Sequence, residues 1–157
     1  MARYKTTPMI KNYVGEHLPN NTVWPGSQVQ YLSEKEREAF EITIYRGKLY
    51  TKDGAPFDTS GAITLHSGDG RAIFVMNENG TFYASNNHEV GRFHHSSLVA
   101  GQSVAAAGEI VVHEGTLMLL SNKSGHYRPN RKLTEQALHA LKTAGVDIRS
   151  VQVDLTI

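Results

Sequence analysis

Three tight turns constrain this chain more than anything else in it. Arg46-Gly47, Asn79-Gly80 and Glu114-Gly115 each separate two runs of strand-forming residues. Glycine enters the left-handed backbone region at little cost, so such a dipeptide reverses the chain and sets its flanks antiparallel. Before the first turn, Ile42 and Ile44 alternate with Thr43 and Tyr45, and Lys48-Leu49-Tyr50 returns after it. The second joins Ala72-Ile73-Phe74-Val75-Met76 to Thr81-Phe82-Tyr83-Ala84. The third joins Glu109-Ile110-Val111-Val112 to Thr116-Leu117-Met118-Leu119-Leu120. Three hairpins predict a mainly antiparallel, meandering sheet.

Helical spacing is clear at one place, where Leu133, Ala137, Leu141 and Ala144 form an apolar stripe. Asn130 or Thr134 can cap its start and Gly145 ends it. A capping box, Ser33 with Glu36, predicts a shorter helical turn over 34–39. After the long helix, Val151, Val153, Leu155 and Ile157 alternate with polar residues, which predicts a last strand with one buried face. The fold class expected is α+β, a mainly antiparallel sheet with a C-terminal helix packed on it. Residues 1–29, broken by Pro8, Gly15, Pro19, Pro25 and Gly26, read as an arm held to the body by Tyr13 and Trp24. Residues 30–157 read as one domain.

Composition narrows the function classes. The chain has 157 residues, 39% hydrophobic and 20% charged, which fits a soluble globular domain. With no cysteine, disulfides and thiolate metal sites are excluded. A net charge of +1 offers no basic face for nucleic acid, and the longest apolar runs are far too short to span a membrane. No signal peptide is visible at the start. Lys123, Arg128, Arg131 and Lys132 cluster around one loop, where they can meet a phosphate or simply form a solvated face.

The residues with chemical capacity fall in three stretches. In Phe93-His94-His95-Ser96-Ser97, an extended backbone sends His94 and Ser96 to one face and His95 and Ser97 to the other. A histidine and a serine on one face can act as base and nucleophile, or grip an anion; equally, they can be buried hydrogen-bonding groups. Ala105-Ala106-Ala107-Gly108 lacks bulk, which suits either a flat ligand or close packing of helix on sheet. Ser124-Gly125-His126-Tyr127-Arg128-Pro129 either aims His126 or Tyr127 into a cleft or makes the corner before the helix. A metal site from His94, His95, His126 and Glu109 is disfavoured, because adjacent histidines on a strand point apart. The expectation is that His94 or His95 shares one pocket with His126 and Glu109.

These stretches carry a resemblance. From Gln30-Tyr31-Leu32-Ser33-Glu34-Lys35-Glu36 through Phe93-His94-His95-Ser96-Ser97 and Ser124-Gly125-His126-Tyr127-Arg128-Pro129 to Gly145-Val146-Asp147, the chain resembles the conserved domain of the plant IQM calmodulin-binding proteins. It is also similar in pattern to bacterial polymorphic-toxin and effector domains. The calmodulin-binding IQ motif of the plant proteins lies outside this domain and is not found here, so calmodulin is not an expected partner of this segment.

Two functional expectations follow. The first is a bacterial effector or toxin-type enzyme, cytoplasmic or translocated, whose most specific form is ADP-ribosyl transfer from NAD. The order Arg46, Ser96-Ser97, Glu109 resembles the Arg, Ser, Glu order of mono-ADP-ribosyltransferases. The resemblance implies that Arg46 holds the NAD phosphates, Ser96 or Ser97 orders the site and Glu109 stabilises the oxocarbenium ion. Tyr127 and Arg128 are further cofactor-binding candidates. Against it, the Glu-x-Glu pair of those enzymes is missing and Arg46-Gly47 reads as a hairpin turn. The alternative is a non-catalytic module that binds a protein segment or small ligand.

Overall fold

All three turns form, the middle one as a longer loop from Asn77 to Thr81 in which Gly80 alone is left-handed. Arg46 and Gly47 lie at φ 49° and 78°, and Glu114 and Gly115 at 47° and 86°, the paired left-handed residues of a two-residue hairpin turn. The computed structural model describes residues 3–65 and 67–155. In chain order it holds α1 (Glu34–Arg37), β1 (Glu41–Tyr45), β2 (Lys48–Tyr50), β3 (Ile63–Thr64), β4 (Gly68–Asp69), β5 (Ala72–Met76), β6 (Phe82–Ser85), β7 (Ala106–His113), β8 (Thr116–Ser121), α2 (Arg131–Thr143) and β9 (Gln152–Asp154). Among the described residues, seven strands make one sheet in the order β2-β1-β6-β5-β7-β8-β9, and β3 and β4 pair by themselves. Each hairpin is antiparallel, as are the β1–β6 and β5–β7 joins between them. The fold class is α+β.

The final strand departs from its expected form. β9 joins β8 in parallel and spans three residues. Val151 is buried, but Val153 is 40% exposed. β9 is a three-residue edge strand, so alternation alone overstates its burial. Ile157 lies outside the described residues.

Both faces of the sheet are covered, and this places the site. β5 alternates Phe74 and Met76 toward one core with Ile73 and Val75 toward another. On the first face, α2 packs Ala137 and Leu141 among Ile42, Phe74, Phe82, Ile110 and Leu120. The helix starts where the Asn130 side chain accepts from the Leu133 amide at 3.0 Å. The opposite face is closed by Leu32, Phe93, Leu98, Val99 and Tyr127. The histidine- and serine-rich stretches therefore lie on the side away from the helix.

The small-residue stretch has a structural cause. Gln136 of α2 donates to the Ala105 carbonyl at 2.9 Å, and Ala105 and Ala106 belong to the core that α2 covers. At Gly108 a Cβ would stand 1.8 Å from the Ser121 carbonyl oxygen. What lies flat on this strip is the end of β8 and the helix, the chain's own backbone.

Candidate functional site

Glu16, which belongs to no motif, is at the centre of the site. Its side chain is fully buried, a position that a carboxylate holds only when donors surround it. Four do. His126 Nε2 donates to Oε1 at 2.7 Å and Trp24 Nε1 to the same oxygen at 3.2 Å. Ser96 Oγ and Tyr31 Oη donate to Oε2 at 2.7 and 2.8 Å. Burial by itself raises the Glu16 carboxyl, but the hydrogen bond and charge of His126, then Ser96 and Tyr31, outweigh it and hold it at about 2. Burial, then the hydrogen bond and charge of Glu16, push the Tyr31 hydroxyl up from its ordinary value. Glu16 is therefore an ionised carboxylate at neutral pH, and Tyr31 is a neutral donor to it.

Rings stack beside this carboxylate. Tyr13 lies on His126 at 3.9 Å between centroids, His126 on His94 at 4.5 Å, and His94 on Trp24 at 5.1 Å. His94 Nε2 accepts from the Gly91 amide at 2.9 Å, and its Nδ1 lies 3.3 Å from His88 Nε2.

The Phe93–Ser97 stretch is not extended. His95–Val99 is a 3-10 turn, and the left-handed Ala100 ends it at φ 52°. Each side chain is spoken for: Ser97 Oγ accepts from the His94 amide at 3.0 Å, and His95 Nε2 donates to the Gly108 carbonyl at 2.7 Å. Gly101, next in the chain, leaves room for Tyr31, whose hydroxyl would lie 2.8 Å from a Cβ there. In the second motif, Tyr127 is buried and its hydroxyl donates to the Gln102 carbonyl at 2.7 Å, so the phenol ties down backbone instead of facing a cleft. Burial pushes that hydroxyl up. Arg128 is exposed, with a left-handed φ of 46°.

The structure thus brings His94, Ser96 and His126 together, but the acid between Ser96 and His126 is Glu16. Glu109 is buried elsewhere in its contacts: Oε1 accepts from Ser67 Oγ at 2.6 Å and lies 3.5 Å from Arg71 Nη1, while Oε2 has no partner among the described residues. Arg46 is exposed in the β1–β2 turn, its guanidinium over the Tyr45 ring. Among the described residues no group of three or more His, Asp or Glu side chains is placed to hold a metal.

Sequence reasoning missed Glu16, Tyr31 and His88. Trp24 and Tyr13 signalled only that the arm packs on the body. The one available hint was that Glu16 is the sole acid among residues 1–29.

The family model described as IQ motif-containing protein middle domain matches residues 36–134. The chain belongs to the IQM family. IQ domain-containing protein IQM3 of Arabidopsis thaliana is 37% identical over 126 residues, covering 80% of this chain and 26% of that protein. IQM4 of the same plant is 33% identical over 137 residues, 87% of this chain and 24% of its own length. The chain thus spans about a quarter of the length of these curated relatives. No solved structure matches the chain.

Membership overturns the expectation of a bacterial effector or toxin carrying out ADP-ribosyl transfer. The relatives are plant IQ domain-containing proteins. The physical reason the pattern misled is visible in the IQM domain itself. Its Arg46 serves a tight turn, Ser96 serves Glu16 and Glu109 serves Ser67 and Arg71, so an order shared along the chain is not a shared site. No described helix is long and apolar enough to cross a membrane.

Proposed function

We propose that this IQM middle domain is a non-catalytic binding module that recognises a polypeptide segment on the face opposite α2. One observation carries the reading: Ser96 Oγ gives its hydrogen to the ionised Glu16 and not to a histidine. A serine nucleophile needs a base that takes its proton, with that base oriented by a third group. Here the acid joins serine and histidine directly, and the serine is fully buried. In this reading the body begins at residue 30 and residues 1–29 are an arm against it. His94, Ser96 and His126 shape the recognition face, His95, Ser97 and Tyr127 hold its backbone, and Glu109 ties down the β3–β4 hairpin. Arg46 and Arg128 are surface residues. The relatives carry an IQ domain by name, and this chain has no IQ motif, so calmodulin is not the segment we assign.

Selection from a random-peptide display library against the immobilised full chain tests this. The expected result is one enriched motif whose synthetic peptide binds in calorimetry. A library that converges on nothing overturns the reading.

A further inference from the structure

We propose that Ser96, His126 and Tyr31 form a carboxylate receptor that the chain fills in cis with Glu16, and that the partner is a polypeptide segment presenting a glutamate and an indole as the arm does. The inference rests on the binding-module reading and names the chemistry of its ligand.

The donors belong to the body and the acceptor to the arm. Ser96 and His126 lie within the matched family region, 36–134, and Glu16 precedes it, as does Tyr31, which stands just before that region. Three donors converge on two oxygens at 2.7 to 2.8 Å, which is the recognition pattern of a bound carboxylate. The arm supplies the rest as a ligand would, through side chains. Its Trp24 covers His94, its Tyr13 covers His126, and the Trp24 indole makes the fourth hydrogen bond to the carboxylate. Between Tyr13 and Ser27 the arm adds no strand to the sheet; its regular structure is the single turn Lys11–Tyr13. Its backbone is tied to the body on either side, where Ile10 donates to His126 and Gln30 donates to Arg92.

The arm is also incompletely covered where it would have to lift. Val14 and Leu18 are 66% and 51% exposed, and Val90 of the body is 62% exposed. An open groove lined by Pro19, Asn20, Gly26, Ser27, Gln28 and Arg92 runs between arm and body. An incoming segment can engage that groove and its Arg92 before it displaces the buried carboxylate. The domain is then self-occupied, and its affinity for a partner falls by the fraction of time the arm is seated.

The test uses the full chain and a fluorescein-labelled peptide of residues 8–29. Glu16→Ala removes the cis ligand and keeps the receptor. That variant is expected to bind the peptide at least about tenfold more tightly than wild type, because its own arm no longer competes. The peptide carrying Glu16→Gln is expected to bind at least about tenfold more weakly to the same variant. Trp24→Ala, which keeps the carboxylate but removes the indole, is expected to show an intermediate gain. The proposal is overturned if folded Glu16→Ala binds no peptide, if both peptides bind alike, or if Glu16→Ala and Trp24→Ala both fail to fold. Failure here is separate from failure of the binding-module reading: a display motif without a carboxylate would sink the receptor and leave the module standing.

Discussion

His126 and Glu16, 110 positions apart in the chain, meet at 2.7 Å with both side chains buried. The contact joins the N-terminal stretch to the corner that leads into α2, and Ser96 reaches the same carboxylate from a third segment. A buried charge bound from three places is costly to form and more costly to break.

Its pH dependence has a definite sign. Glu16 titrates at about 2 in the folded chain against 4.5 for the free group. Between those values the unfolded chain holds the extra proton, so the contribution is fully present above pH 4.5 and is lost as pH falls toward 2. Linkage makes that loss about 3 kcal/mol. Urea unfolding of wild type and Glu16→Gln from pH 7 to 2.5 should show their difference shrinking by about that amount. Asp58, held low mainly by Ser60 and also by the Glu114 amide, titrates in both proteins and cancels. Parallel curves would show that the carboxylate is not held as described.

Gly108 is expected to accept no side chain. Its β7 position has an ordinary backbone, so the obstacle is not φ but the Ser121 carbonyl, 1.8 Å from where a Cβ would lie. Backbone on both sides must move to relieve that overlap. Gly108→Ala should cost at least about 3 kcal/mol, measured by thermal melting, or fail to yield folded protein. A melting point within two or three degrees of wild type would contradict this packing.

Ser67 is the close partner of Glu109, whose second oxygen is buried without one among the described residues. Ser67→Ala leaves the carboxylate with Arg71 at 3.5 Å, itself shared with Asp154. Hydrogen bonds to charged groups are worth about 1.5–3 kcal/mol, and the loss should fall in that range. Hydrogen exchange should also show the β3–β4 hairpin opening more often. An unchanged hairpin would mean that Glu109 does not tie it down.

The fold was legible where local signals and tertiary packing agree. The turns at Gly47 and Gly115, the Ser33–Glu36 capping box and the Ala137, Leu141 stripe each depend on residues within one element, and each forms. The site was half legible. His94, Ser96 and His126 stood out because polar side chains among small residues are unusual, and the structure brings them together. Glu16 did not, because what makes it special is burial by segments 80 and 110 positions away. Nearness along the chain points to Glu109, but its carboxylate is taken up by Ser67 and Arg71 instead. The 93–97 stretch was read as extended, whereas the Ser97 hydroxyl, accepting from the His94 amide, competes for the backbone and closes a 3-10 turn.

The two sides of the Glu16–His126 contact should fail unequally. His126→Ala removes one of the two donors to Oε1 and takes the ring from between Tyr13 and His94, leaving the carboxylate buried and charged. Removing one partner of a buried pair costs about 3–5 kcal/mol. Glu16→Ala removes the buried carboxylate and leaves four donors, His126, Ser96, Tyr31 and Trp24, which water entering the vacated space can satisfy, so it should cost less. In the double variant the stranded charge is absent, and its cost should fall short of the sum of the singles by about 1–3 kcal/mol. Urea unfolding of the four proteins at pH 7 measures that coupling. Additive singles would mean that the ring of His126 matters only for packing, and the carboxylate would then be held by Ser96, Tyr31 and Trp24 alone.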